Sequence, residues 1–395
     1  MFGGGSTLAG RSTGLNPMES LTLIATATFG LEALVKREVA ALGFEIGRVA
    51  DGRIEFHAAP AGIARANLWL RCADRVLLKM GEFTAVSFDE LFDQTHALPW
   101  EGLIPRDGRI TVNAKTHKSA ITGSRGCQAI VKKAVAARLQ AAYGVERLPE
   151  SGADFTLELS ILKDVVLLAV DTSGAGLHKR GYRTEAGEAP LKETLAAALV
   201  LLSVWDKTRL LIDPLCGSGT ILIEAALQGR NVAPGLQRRF AAEEWPLVPA
   251  AAWETARAAA RAAQNWEGAM QLHGYDVDPA ATETAVRNAA RAGVGADIVF
   301  AQRDVRELWL DRQYGVIISN PPYGVRMADF QAVNQIYIAL HKMLRKKQGW
   351  SVYILTADKQ FPRYFKRARP DRVRKLYNGR IEVNYYQYLG AKPPG

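Results

Sequence analysis

A short apolar run, Tyr314 to Ser319, stops abruptly at Asn320, Pro321, Pro322 and Tyr323. Val316, Ile317 and Ile318 in a run of this length read as a buried strand. Neither proline can donate to a ladder and each fixes φ, so the strand has to end here and the chain leaves the sheet stiffly. That exit holds the Asn320 amide and the nearby backbone carbonyls in place, with the Tyr323 ring close behind. Two fixed acceptors and a ring face suit a planar amino group. The acceptors take its two N–H bonds while the ring stacks on its conjugated system. An ordinary strand-to-loop turn, for which Asn and Pro are common, is the competing account of the four residues taken alone.

The remaining strand ends narrow the choice. Leu210 to Asp213 is apolar and runs into Pro214, Leu215, Cys216, Gly217, Ser218, Gly219 and Thr220, with an Ala/Leu-rich helix after it. Gly217 and Gly219 tolerate positive φ and let backbone approach a ligand, and the helix start offers free N–H groups. The pattern resembles the nucleotide-binding turn of a doubly wound sheet. It lacks the Gly-Lys-Ser/Thr of a Walker loop and the full G-x-G-x-x-G, so it suits a ligand without phosphates, such as S-adenosylmethionine. Next, His273 to Asp276 forms a strand end followed by Val277, where an acid can hold both ribose hydroxyls. Its distance from the glycine turn exceeds the usual ~20 residues, so Gly229 to Met270 reads as an insertion carrying Trp245 and a helix around Trp253 to Gln264. Finally, Ile298 to Asp304, followed by Val305, ends another strand, and Asp304 is placed to accept from an adenine amino group. Each acid alone is equally a helix cap. Together the four strand ends, in this order, describe one α/β domain.

These pieces resemble the successive motifs of a class I methyltransferase acting on amino nitrogens. Upstream, Leu177 to Arg183 and Ala189 to Ala196 resemble the linker and first helix of the THUMP-containing RNA guanine-N2 methyltransferases. Ala25 to Glu32 and Cys127 to Lys133 extend the likeness, which covers residues 20 to 390 and is greatest to the bacterial 23S rRNA guanine-N2 methyltransferases. The resemblance implies a Rossmann-like class I methyltransferase domain, its mostly parallel sheet ending antiparallel, preceded by α+β ferredoxin-like and THUMP domains. It implies a catalytic Asn320-Pro321-Pro322-Tyr323 motif. S-adenosylmethionine would lie on Asp213 to Thr220, Asp276, Val277, Asp304, Val305 and Asn320, with Leu191 and Thr194 bordering its methionine end or simply belonging to their helix.

The pattern of elements agrees with that layout. Residues 1–19 read as a Gly/Ser-containing disordered leader, with Met18 an alternative start. Residues 20–85 alternate strand and helix as a ferredoxin-like unit, 86–173 as a THUMP domain, 174–190 as a linker, and 191–395 as the methyltransferase domain. Strands are expected at Leu21–Ala27, Arg53–Phe56, Arg75–Phe83, Arg109–Lys115, Asp154–Lys163 and Val165–Asp171, with a long helix at Ser124–Tyr143.

Charge and cysteine usage limit the partners. The 395 residues carry a net charge of +10, which favours a polyanion such as nucleic acid. A slightly basic enzyme with solvated charges accounts for the number too. The cations concentrate at Lys115, Lys118, Arg125, Lys132 and Lys133, at Lys179, Arg180 and Arg183 in the linker, and along Arg363 to Lys375. The first two groups are candidate RNA contacts. No run reaches membrane-spanning length. The three cysteines, Cys72, Cys127 and Cys216, have no metal-ligand spacing, and scattered thiols favour the reducing cytoplasm. No metal is expected.

The Asn-Pro-Pro-Tyr motif does not select among adenine N6, cytosine N4, guanine N2 and a glutamine amide. Guanine N2 follows from the resemblance. A tRNA enzyme of the same layout, a DNA amino-methyltransferase and a nucleic-acid-binding protein with an inactive methyltransferase fold remain the competing readings.

Overall fold

The structure is a computed structural model, and it describes residues 20–183, 191–323, 327–347, 349–367 and 369–391. The expected leader at 1–19, the end of the linker at 184–190, and Gly324 lie outside the described residues.

The N-terminal half is built on one seven-stranded sheet. Its first part runs β1 (Leu21–Ala27), α1 (Glu32–Ala41), β2 (Glu45–Ala50), β3 (Arg53–Ala58), α2 (Ala61–Trp69) and β4 (Ala73–Thr84). Alternation in β1 and β3 sends Leu23, Ala25, Ile54 and Phe56 into the core. The strand order β2-β3-β1-β4 is that of a split βαβ, ferredoxin-like unit. The second part adds α3 (Phe88–His96), β5 (Arg109–His117), α4 (Ser124–Tyr143), β6 (Asp154–Leu162) and β7 (Val165–Asp171). Ser87 starts α3 by accepting from the Glu90 N–H, and α4 stops at Gly144, in the left-handed conformation. β5 and β6 are parallel and joined by α4, while β6 and β7 are antiparallel.

β4 joins the two parts. Its first half pairs with β1, and its second half pairs with β7 from Leu77↔Asp171 to Thr84↔Val165. Hydrogen bonding therefore runs without a break from the ferredoxin-like strands to the THUMP strands.

The C-terminal half is a second seven-stranded sheet. After α5 (Glu193–Leu201) come β8 (Leu211–Asp213), α6 (Thr220–Gly229), α7 (Ala250–Ala262), β9 (Leu272–Asp276), α8 (Pro279–Arg291), β10 (Ile298–Gln302), β11 (Tyr314–Ser319), α9 (Met327–Leu344), β12 (Gly349–Thr356), α10 (Phe361–Phe365), β13 (Arg372–Asn378) and β14 (Ile381–Tyr388). The order is β10-β9-β8-β11-β12-β14-β13. The first five strands are parallel, and β14 pairs antiparallel with both neighbours. β12 is buried along its whole length, as expected of a central strand covered on both faces. This is the doubly wound sheet with an antiparallel end expected from the sequence. The order reverses at β8, and β9 and β11 leave it in opposite directions. That switch point is where open α/β sheets bind ligands.

Residues between α6 and β9 lock the two halves together. Trp245 is buried and stacks on Phe155 with ring centroids 4.8 Å apart, and its Nε1 donates to the Asp154 carbonyl at 3.1 Å. The Ala242 N–H donates to Thr172 O at 3.1 Å and the Gly235 N–H to Leu68 O at 3.0 Å. The Arg238 guanidinium donates to the carbonyls of Ser173, Ala175, Gly176 and Lys179. Burial among these dipoles lowers its pKa to about 10.

Two expected RNA contacts are corrected here. Arg180 is buried beneath this junction, where it donates to the Leu177 and Arg71 carbonyls and faces Glu224 at 3.5 Å. The sequence offers this basic linker arginine to RNA, but in the fold it satisfies buried acceptors that would otherwise be unpaired. Arg183 is turned inward onto Leu191 O at 2.9 Å and Glu193 at 3.2 Å. Neither guanidinium is free to meet RNA in this arrangement.

Candidate active site

The glycine turn leaves β8 at Asp213 and enters α6 at Thr220. Gly217 and Gly219 both have positive φ, +51° and +78°, a region costly for residues with a Cβ. They differ in surroundings. A Cβ on Gly219 would lie 2.8 Å from the Phe300 ring and 3.0 Å from Ala285, so that glycine permits close packing against β10 and α8. A Cβ on Gly217 would meet nothing within 4 Å. The turn is thus pinned on one side and open on the other.

Three side chains fix the turn. The Gly217 N–H donates to Asp276 Oδ2 at 2.9 Å, and Asp276 Oδ1 accepts from the Asp278 N–H at 3.0 Å. Asp278 in turn caps α8, with Pro279 at its first position. Asn288, buried on α8, donates to the Ser218 carbonyl at 3.2 Å. Ser319, buried at the end of β11, donates to Asp213 Oδ1 at 2.6 Å, and the same oxygen takes the Leu215 N–H at 3.2 Å. The sequence reading missed Ser319 and Asn288. A small polar residue just before Asn320, on a strand expected to lie beside β8, was the available signal for Ser319. Nothing local marks Asn288, which looks like any helical Asn.

Desolvation, reinforced by the Asp276 charge, raises Asp213 to about 7; the Ser319 and Leu215 hydrogen bonds oppose the shift. Cys216, beside it in the turn, is pushed up by burial and by both carboxylates, so it is an inert thiol rather than a nucleophile. Two carboxyl groups, Asp276 and the buried Asp213, hold the backbone of the turn, and the space at Gly217 admits a ligand against it.

The other expected cofactor contacts fall around this turn. Val277 follows β9 and is exposed, while Val305 is buried. Asp304 caps a short 3-10 turn through the Arg306 N–H at 2.8 Å and forms an ion pair with the Arg306 guanidinium. That pair holds its carboxyl below the usual range. Both Asp304 oxygens are thus engaged, so an adenine amino group would have to share them. Leu191 and Thr194 are buried at the start of α5.

Asn320 lies one residue beyond β11, half-buried, followed by buried Pro321 and exposed Pro322. The Tyr323 hydroxyl donates to Asn320 Oδ1 at 2.6 Å. Burial raises the phenol to about 12, and the nearby Asn378 side chain acts the other way. A carbonyl oxygen accepts two hydrogen bonds, so Oδ1 keeps one position for a further donor. Tyr337 belongs to the core, bonded to Thr356 at 3.0 Å.

The expected basic surface lies on the N-terminal half. Lys115, Lys118, Arg125, Lys133 and Lys179 are exposed, whereas Lys132 pairs with Glu150 at 2.8 Å. Lys115, Arg75, His178 and Lys192 line a polar cleft of about 610 Å³ between the first sheet and the linker. Among the described residues no group of His, Cys, Asp and Glu could hold a metal ion, and no helix is long and apolar enough to cross a membrane.

Comparison with known proteins bears on the whole chain. Residues 180–387 match the RMKL-like methyltransferase domain, residues 22–77 the RlmL ferredoxin-like domain and residues 85–171 the THUMP domain. The chain is 43% identical to YpsC of Bacillus subtilis, provisionally named an RNA methyltransferase, across 95% of this chain and 98% of that protein. It is 34% identical to the ribosomal RNA large subunit methyltransferase K/L of Syntrophotalea carbinolica, covering 95% of this chain and only 55% of that longer relative. Among solved structures, a Listeria monocytogenes protein described as a predicted N6-adenine-specific DNA methylase superposes with a TM-score of 0.91 at 47% identity, over 95% of this chain and 97% of that one. SMU.472, provisionally called a methyltransferase and solved with S-adenosylhomocysteine (SAH), superposes with a TM-score of 0.90 at 40% identity, over 95% and 99%.

Proposed function

The chain belongs to the RMKL-like methyltransferase family, and we propose that it methylates the exocyclic N2 of a guanosine in RNA, with 23S ribosomal RNA as the substrate and S-adenosylmethionine as the methyl donor. The observation that carries the amino-group part of this reading is the Asn320 oxygen, fixed by the Tyr323 hydroxyl at 2.6 Å and left with one accepting position; the choice of guanine N2 rests on the family resemblance. RNA, and ribosomal RNA in particular, is favoured by the names of YpsC and the K/L relatives and by the basic THUMP surface.

Asp213, the Cys216–Gly219 backbone and Asp276 would hold the donor, with Val277 and Asp304 at its adenosine end. Bound there, S-adenosylmethionine supplies an electrophilic methyl on a sulfonium. The protein's task is to make a poor nucleophile react. The guanine N2 lone pair is delocalised into the ring. Asn320 Oδ1 and the Pro321 carbonyl accept the two N–H bonds and hold the amine in one orientation. Tyr323 stacks on the base once it has left its helix. The gain comes from alignment and fixed dipoles rather than from a strong base; the methylated nitrogen is strongly acidic and loses its extra proton to solvent after transfer, so no His or Glu is needed beside Asn320.

Asn320→Ala should keep the fold and cofactor binding while the single-turnover methyl-transfer rate drops on the order of a hundredfold to a thousandfold. Tyr323→Phe should lose several-fold in that rate, since one hydrogen bond of about 1 kcal/mol is removed and the ring remains. Tyr323→Ala should additionally raise the KM for RNA. A fully active Asn320→Ala protein would leave Asn320 to Tyr323 as an ordinary strand-to-loop turn.

A further inference from the structure

Outside the site described above, one aromatic pair has no role in the core. Phe29 is 53% exposed in the loop between β1 and α1 of the ferredoxin-like unit. It meets Tyr377 of β13 edge to face, with centroids 5.9 Å apart. The contact is close at the backbone too, since a Cβ on Gly30 would lie 2.8 Å from Lys375 O. The N-terminal module thus touches the methyltransferase sheet a second time, far in sequence from the Trp245 junction.

Topology places this contact beside the candidate pocket. β14 is antiparallel to β12 and to β13, so β13 runs in the direction of β11 and β12. Its last residues, Leu376 to Asn378, therefore lie at the same carboxyl edge as Asn320. Asn378 lies close enough to Tyr323 to act on its phenol, and Tyr377 precedes Asn378 in β13. Asn320, Tyr323, Asn378, Tyr377 and Phe29 thus line one edge of the molecule. At its outer end Lys375, paired with Glu382, sits over the Tyr377 ring at 5.7 Å, and Arg380 in the turn after β13 is exposed.

We infer that Phe29 and Tyr377 form a stacking platform for a nucleobase flanking the target nucleotide. An exposed ring on the RNA-facing module, a second ring at the pocket rim and neighbouring cations are what a single-stranded segment requires. The platform rests on the RNA methyltransferase reading and adds a second contact point, donated by the other half of the molecule. The target base would then be flipped at the place where the two halves meet.

The test compares wild type with Phe29→Leu, Phe29→Trp and Tyr377→Leu in the full chain. Affinity for a fluorescein-labelled single-stranded RNA is read by anisotropy, S-adenosylhomocysteine affinity by calorimetry, and folding by thermal melting. Phe29→Leu keeps apolar bulk but removes the π face, and RNA affinity should fall roughly fivefold to a hundredfold, the range for loss of one stacked base. S-adenosylhomocysteine affinity should not change. Phe29→Trp should restore RNA affinity, and its added fluorescence should be quenched by the RNA. Unchanged RNA affinity in Phe29→Leu and Tyr377→Leu, with or without a lowered Tm, would reduce the pair to an interdomain contact and overturn the inference. Wild-type protein that binds S-adenosylhomocysteine but no RNA would instead overturn the RNA reading on which the platform depends.

Discussion

At the residue scale, the site joins two strand ends through one carboxyl group. Asp213 is bonded to Ser319, the neighbour of Asn320, so the glycine turn and the Asn320 amide are linked through one side chain. Burial raises Asp213 to about 7, above the ~3.9 of an unfolded chain. The folded protein then retains a proton that the unfolded chain releases between those values. The stability this group contributes is complete below about pH 4 and is lost as pH rises through about 7. Ligand-free protein should therefore show a falling Tm between about pH 4 and 7 that flattens in Asp213→Asn. A cationic cofactor prefers the ionised form, so its affinity should rise over the same interval in wild type and stay level in the variant. Calorimetry across that range checks both. A wild-type affinity independent of pH would remove Asp213 from the electrostatics of the site.

At the scale of elements, strands and turns with strong local chemistry were legible and weakly patterned edges were not. The apolar runs ending at Asp213, Asp276 and Asn320 became adjacent parallel strands because each carries its own stop signal: glycine, Asp-Pro or double proline. α4 was readable at both ends, from its apolar spacing and Gly144. β2 and β13 were not foreseen as strands. β2 is an almost wholly exposed edge, and β13 carries Arg372, Arg374 and Lys375 on another edge, where charge blunts pairing with foreign strands. Such residues satisfy solvent and disguise the strand. The buried roles of Arg180 and Arg183 were hidden for a related reason, since a sequence shows a charge and leaves its partner unnamed. Within the candidate site, Asp276 spans two elements by accepting from the Gly217 N–H. Asp276→Ala should therefore weaken S-adenosylhomocysteine binding by more than tenfold with little change in Tm, because both the turn and a ribose acceptor are lost. Equal affinity in variant and parent, measured by calorimetry, would move the cofactor elsewhere.

At the scale of the whole molecule, the basic THUMP surface and the candidate active site are held in one frame. The buried Trp245–Phe155 stack, the Arg238 carbonyl cradle and the Phe29–Tyr377 contact fix the two halves at separate points. RNA gripped by Lys115, Lys118, Arg125 and Lys133 would then be presented to Asn320 at a set distance. Phosphate contacts of this kind release counterions, so RNA affinity should fall steeply between 50 and 200 mM salt on the order of a thousandfold if about six phosphates are engaged. Replacing Lys115, Lys118 and Arg125 together by Glu should flatten that slope while S-adenosylhomocysteine binding persists; an unchanged slope would put the RNA on another face. The central claim is the identity of the methylated atom. Incubating the protein with isotopically labelled S-adenosylmethionine and unmodified 23S rRNA, then digesting the RNA and separating its nucleosides by mass spectrometry, reads that atom directly. The account predicts label in N2-methylguanosine, absent with Asn320→Ala. Label in N6-methyladenosine, or transfer to DNA with none to RNA, would contradict it.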